Sequence, residues 1–314
     1  MPEHLVDAVK ENLEASRADN TRKAYASDVR QFGTWCDREG LASLPAAEAT
    51  IAAYITALDL AGRKPATIKR ALAAISQAHK LAGYEPSPTS SPKVHEVLKG
   101  ICNREGVAQL QAHPFTPADI RRHGTWHTVG AQLDLRYLRD HAMLTSGGGG
   151  GFRRSEMIAL NVEDLQEHPG AGLVVLVRKS KTDQAGKGRP VELAFGDFPE
   201  SCPVRALRAW LEAAHITSGP IFREITVHGE LTDNRASLQS VSRCAKRIAE
   251  RLGYKPEHFS GHSFRATYIT AAKRAGKSNA QIMRQTGHRS SAMVDKYDRQ
   301  ANTFVDSPSK GIGL

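Results

Sequence analysis

Through the first hundred residues, apolar side chains recur every three or four positions, a spacing that predicts helices. In residues 20–38, Tyr25, Val29, Phe32 and Trp35 or Cys36 share one face, while Arg22, Lys23 and Arg30 lie elsewhere on the surface. Further helices fit Ala46–Leu60, a stretch with Pro65 near its start and Gly83 at its end, and a segment running from Pro92 to near Glu105. Proline in the first helical turn costs nothing, because its missing N–H would have no partner there, and glycine past the end closes the helix. Together these segments predict an all-helical bundle of about a hundred residues. Gly106–Pro114 reads as a linker, and Thr116 with Pro117 opens a new helix.

The pattern changes after Leu135. Leu135–Met143 is helical, and then five glycines, Gly147–Gly151, interrupt it at a cost of about 1 kcal/mol each against alanine. They are not a phosphate-cradling loop, which would end in Gly-Lys-Ser/Thr where this chain has Phe152-Arg153-Arg154. LVVLVRKSKTDQAGKGRPVEL then reads as a β-hairpin whose second strand begins near Arg189, with Lys179, Lys181 and Lys187 clustered at its turn. Helices return around Val204–His215, Leu238–Leu252 and through Ser260–Tyr297. The expected fold is mainly α: a helical bundle over 1–108, then a mostly helical domain over 109–314 with a small antiparallel β-sheet.

Charge adds a partner to this picture. The 314 residues carry a net charge of +10, a balance that favours a polyanion. Residues 1–110 hold 14 basic and 13 acidic side chains, so +9 falls on the second domain. Within the nearly neutral first domain, Arg63, Lys64, Lys69, Arg70 and Lys80 gather on or just before one helix, where no acid intervenes. That stripe, with Arg22 and Lys23, is a candidate phosphate contact; its bland reading is a solvated face. No apolar run reaches membrane-spanning length, and the polar start is not a signal peptide. The scattered cysteines fit reduced thiols in a cytoplasmic protein, without a disulfide frame or a metal site.

The chemistry concentrates in Ser260–Arg299, where eight Lys/Arg stand against Asp295 and Asp298. Ser260 is a plausible N-cap, and His262 and Arg265, three apart, share the face of the helix that follows. Gly276-Lys277-Ser278 ends that helix and starts another; His288 and Tyr297 close the stretch. Two histidines, an arginine and a tyrosine in a basic setting point to chemistry on phosphate. A helix-turn-helix that reads DNA without catalysis fits the same outline. His258 and His262 have the spacing of metal ligands, but Ser260-Gly261 between them argues against one continuous helix. Arg153-x-x-Glu156 taken alone is an ordinary surface ion pair on a helix face.

Taken in order, Arg153-x-x-Glu156, Lys181, His262-x-x-Arg265, His288 and Tyr297 resemble the catalytic set of the tyrosine recombinases, the phage-integrase family, at Cre-like intervals. SGHSFR and TGHRSSAMVDKY are the most specific blocks. Thr21, Tyr25, Asp28 and Phe32 resemble a motif of the family's N-terminal core-binding domain, so the likeness covers nearly the whole chain. One departure is the glycine run, since the family usually has a mixed small-residue segment before this arginine. The resemblance implies a site-specific recombinase that cuts and rejoins duplex DNA through a 3′-phosphotyrosyl intermediate, with no cofactor.

On that reading Tyr297 attacks, and Arg153 and Arg265 match the non-bridging oxygens with their forks. Lys181 protonates the leaving 5′-oxygen, His262 moves a proton, His288 hydrogen-bonds the phosphate, and Glu156 orients the cations. Tyr268 is a rival nucleophile, placed mid-helix as a packed tyrosine would be; Arg154 rivals Arg153 but has no glutamate three residues on. The resemblance further implies a homo-oligomer, a tetramer on two paired sites, whose C-terminal tail docks on a neighbour. A DNA-binding regulator on the same scaffold and a type IB-like topoisomerase are the alternative readings.

Overall fold

The computed structural model describes residues 19–106, 111–125, 134–178 and 188–301. Lys179, Lys181 and Lys187, and the tail beyond 301, lie outside the described residues. The chain divides into two compact units, Met1–Gln109 and Leu110–Leu314.

The first unit contains α1 (Asp19–Glu39), α2 (Glu48–Leu60), α3 (Pro65–Leu81) and α4 (Pro92–Glu105). Prolines occupy the first turns of α3 and α4. Phe32 and Cys36 of α1 pack with Ile51 and Ile55 of α2, Ile68 and Ile75 of α3, and Val94 and Ile101 of α4. The α1 motif residues do separate jobs: Phe32 enters the core, whereas Asp28 is a buried carboxylate. A buried charge needs a partner, and Asp28 takes both arms of Arg70 from α3, Nε at 2.8 Å and Nη2 at 3.0 Å. His79, also buried, is consumed likewise: its Nδ1–H donates to the Ile75 carbonyl, and Nε2 accepts the Ala46 N–H at 3.0 Å.

In the second unit α5 (Pro117–Thr125) precedes α6 (Leu135–Gly150) and the short α7 (Arg154–Ala159). An antiparallel sheet follows in the order β1 (Leu165–His168), β2 (Gly172–Val177), β3 (Arg189–Ala194). Leu173 pairs with Leu193 and Val175 with Val191, so alternate residues of both strands point into the core. Next come α8 (Pro203–Ala213), the two-stranded β4 (Arg223–Ile225) and β5 (Leu231–Arg235), and α9 (Leu238–Arg251). The chain continues through α10 (Gly261–Arg274), α11 (Asn279–Thr286) and α12 (Ser291–Ala301). Trp210, Met143, Leu144, Phe152, Met157 and Phe264 are among the fully buried side chains of its core. A smaller cluster, Ile269, Ala272, Ile282 and Val294, joins α10, α11 and α12.

The glycine run behaves differently from the interruption its propensity predicts. The α6 helix continues through Gly150 and is closed by Gly151 in the left-handed conformation, φ +62°, whose N–H bonds the Gly147 carbonyl at 3.0 Å. Packing explains the run. A Cβ on Gly147 would lie 2.6 Å from Cβ of Phe264, and one on Gly148 would lie 3.3 Å from a methyl of Thr267, so the bare backbone lets α10 approach α6 closely. The helix gives up propensity for contact, and the contact places Arg265 beside the end of α6.

Gly147→Ala should therefore destabilise the protein by about 1–3 kcal/mol, the usual cost of overpacking. Gly33→Ala, mid-helix in α1 with nothing within 4 Å of the new methyl, should add about 0.5–1 kcal/mol. Urea denaturation of both variants checks the pair, and stabilisation by Gly147→Ala would refute the packing account.

Candidate active site

The site forms where α6, α7, α10 and α11 end or begin near one another. Ser260 caps α10: its hydroxyl accepts the His262 N–H at 3.2 Å, and the Ser263 hydroxyl accepts the Ser260 N–H in return. In the first turns His262 is exposed while Arg265 is buried. Arg265 spends its fork on backbone: Nη1 donates to the Gly151 carbonyl at 2.6 Å and Nη2 to the Thr286 carbonyl at 2.8 Å. Both acceptors are exposed by glycine-capped helix ends, because Gly151 ends α6 and Gly287, φ +65°, ends α11.

Arg153 does not lie on a helix face, as its spacing predicts. It is the N-cap of α7, with extended backbone at ψ 150°, and its N–H donates to Oε2 of Glu156 at 3.0 Å. From there Nη1 donates to Oε1 of Glu156 and Nη2 to the Gly287 carbonyl at 3.1 Å. Nor is the pair a surface one, since the Glu156 side chain is 0 % exposed and Arg153 16 %. Arg154 lies instead with its stem along Gly261 and is exposed.

His288 is buried beside this pair. The Thr286 hydroxyl donates to the Ile282 carbonyl at 2.6 Å, so its oxygen accepts from His288 Nδ1–H at 2.7 Å. Nε2 then carries a lone pair, and Arg265 Nη2 approaches it at 3.0 Å. Burial pushes the His288 imidazole down to about 3, helped by Arg265, Arg153 and Arg189. Burial likewise lowers Arg265 to about 10, with Arg153 adding to the shift and Glu156 opposing it. His288 is thus a neutral imidazole in a cationic pocket.

Tyr297 stands on α12, partly buried against the Ile269–Val294 cluster, and its phenolate would act on Arg265 electrostatically. Tyr268 packs against the same cluster, and its ring lies over Gly151. Burial raises its phenol.

Three contributors escape a reading of spacing. Arg189, the first residue of β3, donates Nη2 to Glu156 Oε2 at 3.2 Å and Nη1 to the Gln285 carbonyl. Gln285 joins α11 to the edge of β3, its Nε2 donating to the Glu192 carbonyl at 2.6 Å. Thr286 sets the His288 proton. Only the neighbouring Pro190 marks Arg189 as a strand start; nothing separates it from the turn lysines as a cation.

In the first unit Lys23, Arg63, Lys64 and Lys69 are exposed and Arg22 is half-buried, whereas the Arg70 fork is taken by Asp28. Among the described residues no cluster of three His, Cys, Asp or Glu could hold a metal, and no helix is long and apolar enough to cross a membrane.

Fold and site together define a class: helical two-unit proteins that bring two arginine forks, a buried carboxylate and a late tyrosine into one region of the second unit. Comparison with known proteins shows the family. The phage integrase family matches residues 131–303, and the phage integrase N-terminal SAM-like domain matches residues 10–84; the chain belongs to the phage integrase family. It is 36% identical over 311 residues to an integrase/recombinase xerD homolog of Selenomonas ruminantium, covering 97% of this chain and 89% of the relative. It is 27% identical to the tyrosine recombinase XerD of Bifidobacterium longum, covering 91% and 88%. Its fold is shared with a lambda integrase dimer bound to a COC′ core site, at TM-score 0.58 and 18% identity over 95% of each chain. The Tn1549 transposon integrase in complex with transposon right end DNA gives 0.60 at 15% identity, over 92% of each.

Because the unfolded chain binds a proton at His288 near the ordinary 6.5 and the folded chain only near 3, stability associated with this group is complete above pH 6.5 and falls as pH drops towards 3. Ring ¹⁵N NMR at pH 5 should show His288 neutral with its proton on Nδ1. An imidazolium signal at pH 6 would refute the assignment.

Proposed function

We propose that this tyrosine recombinase cuts and rejoins duplex DNA at a specific site with Arg153, Lys181, His262, Arg265, His288 and Tyr297 as its catalytic set. The observation that carries the reading is the convergence of the Arg265 and Arg153 forks at the glycine-capped ends of α6 and α11, with Tyr297 on the following helix. A phosphodiester oxygen that reaches these forks replaces backbone carbonyls as their acceptor, a charge-assisted exchange.

Tyr297 attacks phosphorus as its phenol proton passes to His262, which is exposed and of the residue type that exchanges protons near neutral pH. Arg153 and Arg265 hold the equatorial oxygens, where charge builds up as the bond to the 5′-oxygen breaks. Lys181 gives the departing 5′-oxygen its proton. The 3′-phosphotyrosyl bond stores the energy of the broken phosphodiester, so a 5′-hydroxyl from another strand reverses the step without ATP. His288 stands neutral beside the Arg265 fork, and Glu156 orients Arg153.

Arg22, Lys23, Arg63, Lys64 and Lys69 contact DNA phosphates, with Arg70 chiefly a link between α1 and α3. Strand exchange needs two sites held together, and a cytoplasmic homotetramer with exchanged C-terminal tails supplies four active tyrosines. A DNA-binding regulator would have no use for a shielded Arg153–Glu156 pair beside a tyrosine, and a topoisomerase would relax unrelated supercoiled DNA as a monomer.

Tyr297→Phe should bind its site and form no SDS-resistant protein–DNA adduct, while Tyr268→Phe keeps forming it. An adduct with Phe at 297 would sink the nucleophile assignment. Sequencing DNA trapped on the wild-type adduct gives the site.

Lys181→Ala should fail on ordinary DNA yet cleave a 5′-bridging phosphorothiolate at close to the wild-type rate, because a thiolate leaves without a proton. Equal impairment on both substrates would remove Lys181 from the acid role.

A further inference from the structure

Among the described residues, Arg189 is a partly buried guanidinium of the site that the proposed catalytic set does not use. It opens β3, its side chain is only 18 % exposed, and it reaches into the space between α7 and the end of α11. Nη2 takes Oε2 of Glu156 at 3.2 Å, while Arg153 holds Oε1, so one buried carboxylate is divided between two arginines. Nη1 takes the Gln285 carbonyl in the last turn of α11. The fit is close: a Cβ on Gly287 would come 2.9 Å from Arg189 Nε.

Strand and helix are also stitched beside it. The Gln285 amide donates to the Glu192 carbonyl at 2.6 Å and its oxygen accepts the Glu192 N–H at 3.3 Å, which occupies the β3 edge that no strand covers among the described residues. Gln285, Thr286, Gly287 and His288 are consecutive. Thr286 and Gly287 supply carbonyls to Arg265 and Arg153, so whatever fixes Gln285 against β3 fixes the acceptors of both forks.

Electrostatics point the same way. Two guanidiniums bond one carboxylate and a third, Arg265, lies near it; Oε2 already accepts the Arg153 N–H, and without Arg189 it would be open to the Arg153 fork as well. That would neutralise more of the charge Arg153 offers to phosphate and draw its fork towards α7. Sharing leaves the pocket with a cationic surplus suited to a phosphodiester anion. Arg189 itself has both terminal nitrogens committed within the protein.

We infer that Arg189 is a positioning residue for phosphoryl transfer: by holding Oε2 of Glu156 and the Gln285 carbonyl, it aims Arg153 and fixes the turn that carries His288. This rests on the recombinase reading above. The geometry asks for a fork, because one group must span a carboxylate and a carbonyl that lie in different directions.

The test is single-turnover cleavage of a nicked duplex carrying the sequence recovered from the covalent adduct. One version has an ordinary scissile phosphodiester; the other has a methylphosphonate there, which removes the non-bridging charge that the forks neutralise. Arg189→Met should lower cleavage of the ordinary duplex about 100-fold, as expected for a misaimed catalytic group. On the methylphosphonate, where aim at a charged oxygen no longer matters, the loss should shrink to about threefold or less. Arg189→Lys, which keeps the charge and most of the stem, should show the same pattern more weakly, and it carries the test if the methionine variant does not fold. Equal losses on the two substrates would mean that Arg189 only supports the fold and would overturn the inference. A wild-type protein that forms no Tyr297-dependent adduct on any DNA would instead overturn the recombinase reading and this inference with it.

Discussion

A buried guanidinium with no carboxylate of its own governs this structure. Arg265 cannot shed its proton cheaply and cannot be left unsolvated, so folding must bring it acceptors. The chain supplies two carbonyls, Gly151 and Thr286, each next to or at a glycine-capped helix end, where carbonyls lack helical partners. That requirement fixes three helices at once: α10 carries the arginine, while α6 and α11 must end where its fork points. Close approach of α6 and α10 depends on Gly147, where a Cβ would meet Phe264 at 2.6 Å, and is eased by Gly148. The glycine run and the arginine belong to one device, in which a sequence poor in helix propensity is held helical by what it touches.

Around Arg265 the electrostatics are balanced by subtraction. Glu156 is the carboxylate that meets the Arg153 and Arg189 forks, and its two oxygens go to different guanidiniums. His288 adds no charge at neutral pH, because burial and three nearby cations keep it unprotonated. Thr286 completes the arrangement by giving His288 one tautomer, so the ring cannot turn freely between roles.

The sequence made much of this legible, for identifiable reasons. Helices such as α3 and α4 announce themselves through proline at the start and apolar residues at helical spacing, and the structure follows those signals nearly to the residue. The hairpin shows as a β-branched apolar run, a glycine-rich turn and a second strand beginning near Arg189. Arg153, His262, Arg265, His288 and Tyr297 were nameable because their types and order match a family pattern. What spacing cannot show is which atoms meet across the chain. Arg153 with Glu156 three residues on looks like a surface pair in sequence and is shielded in the structure, since only tertiary packing covers Glu156. Arg189 meets Glu156 from 33 residues away and Gln285 from 96, separations that no local periodicity encodes. The glycines mislead in the opposite sense: their propensity cost is real, but it is outweighed by contacts with Phe264 and Thr267.

The same subtraction separates binding charge from structural charge in the first unit. Counting cations on α3 makes Arg70 look equal to Lys69, yet Arg70 delivers both arms of its fork to Asp28 on α1. A guanidinium held by a buried carboxylate has its orientation set by the fold and much of its charge cancelled, so it offers a phosphate little that water does not. Lys69, Lys64 and Arg63 are exposed cations, and exposed cations are what release counterions from a duplex. The net charge of +10 therefore overstates the binding surface wherever acids are buried beneath it. Around Glu156 the correction runs the other way: two guanidiniums share a single carboxylate and Arg265 lies near it without a carboxylate of its own, so the surplus survives burial. A surplus held in a partly dry pocket acts more strongly on an arriving phosphate than the same charge spread over a wet surface. On the proposed reading, surface cations bring DNA to the protein and the shielded ones hold the phosphate that Tyr297 attacks.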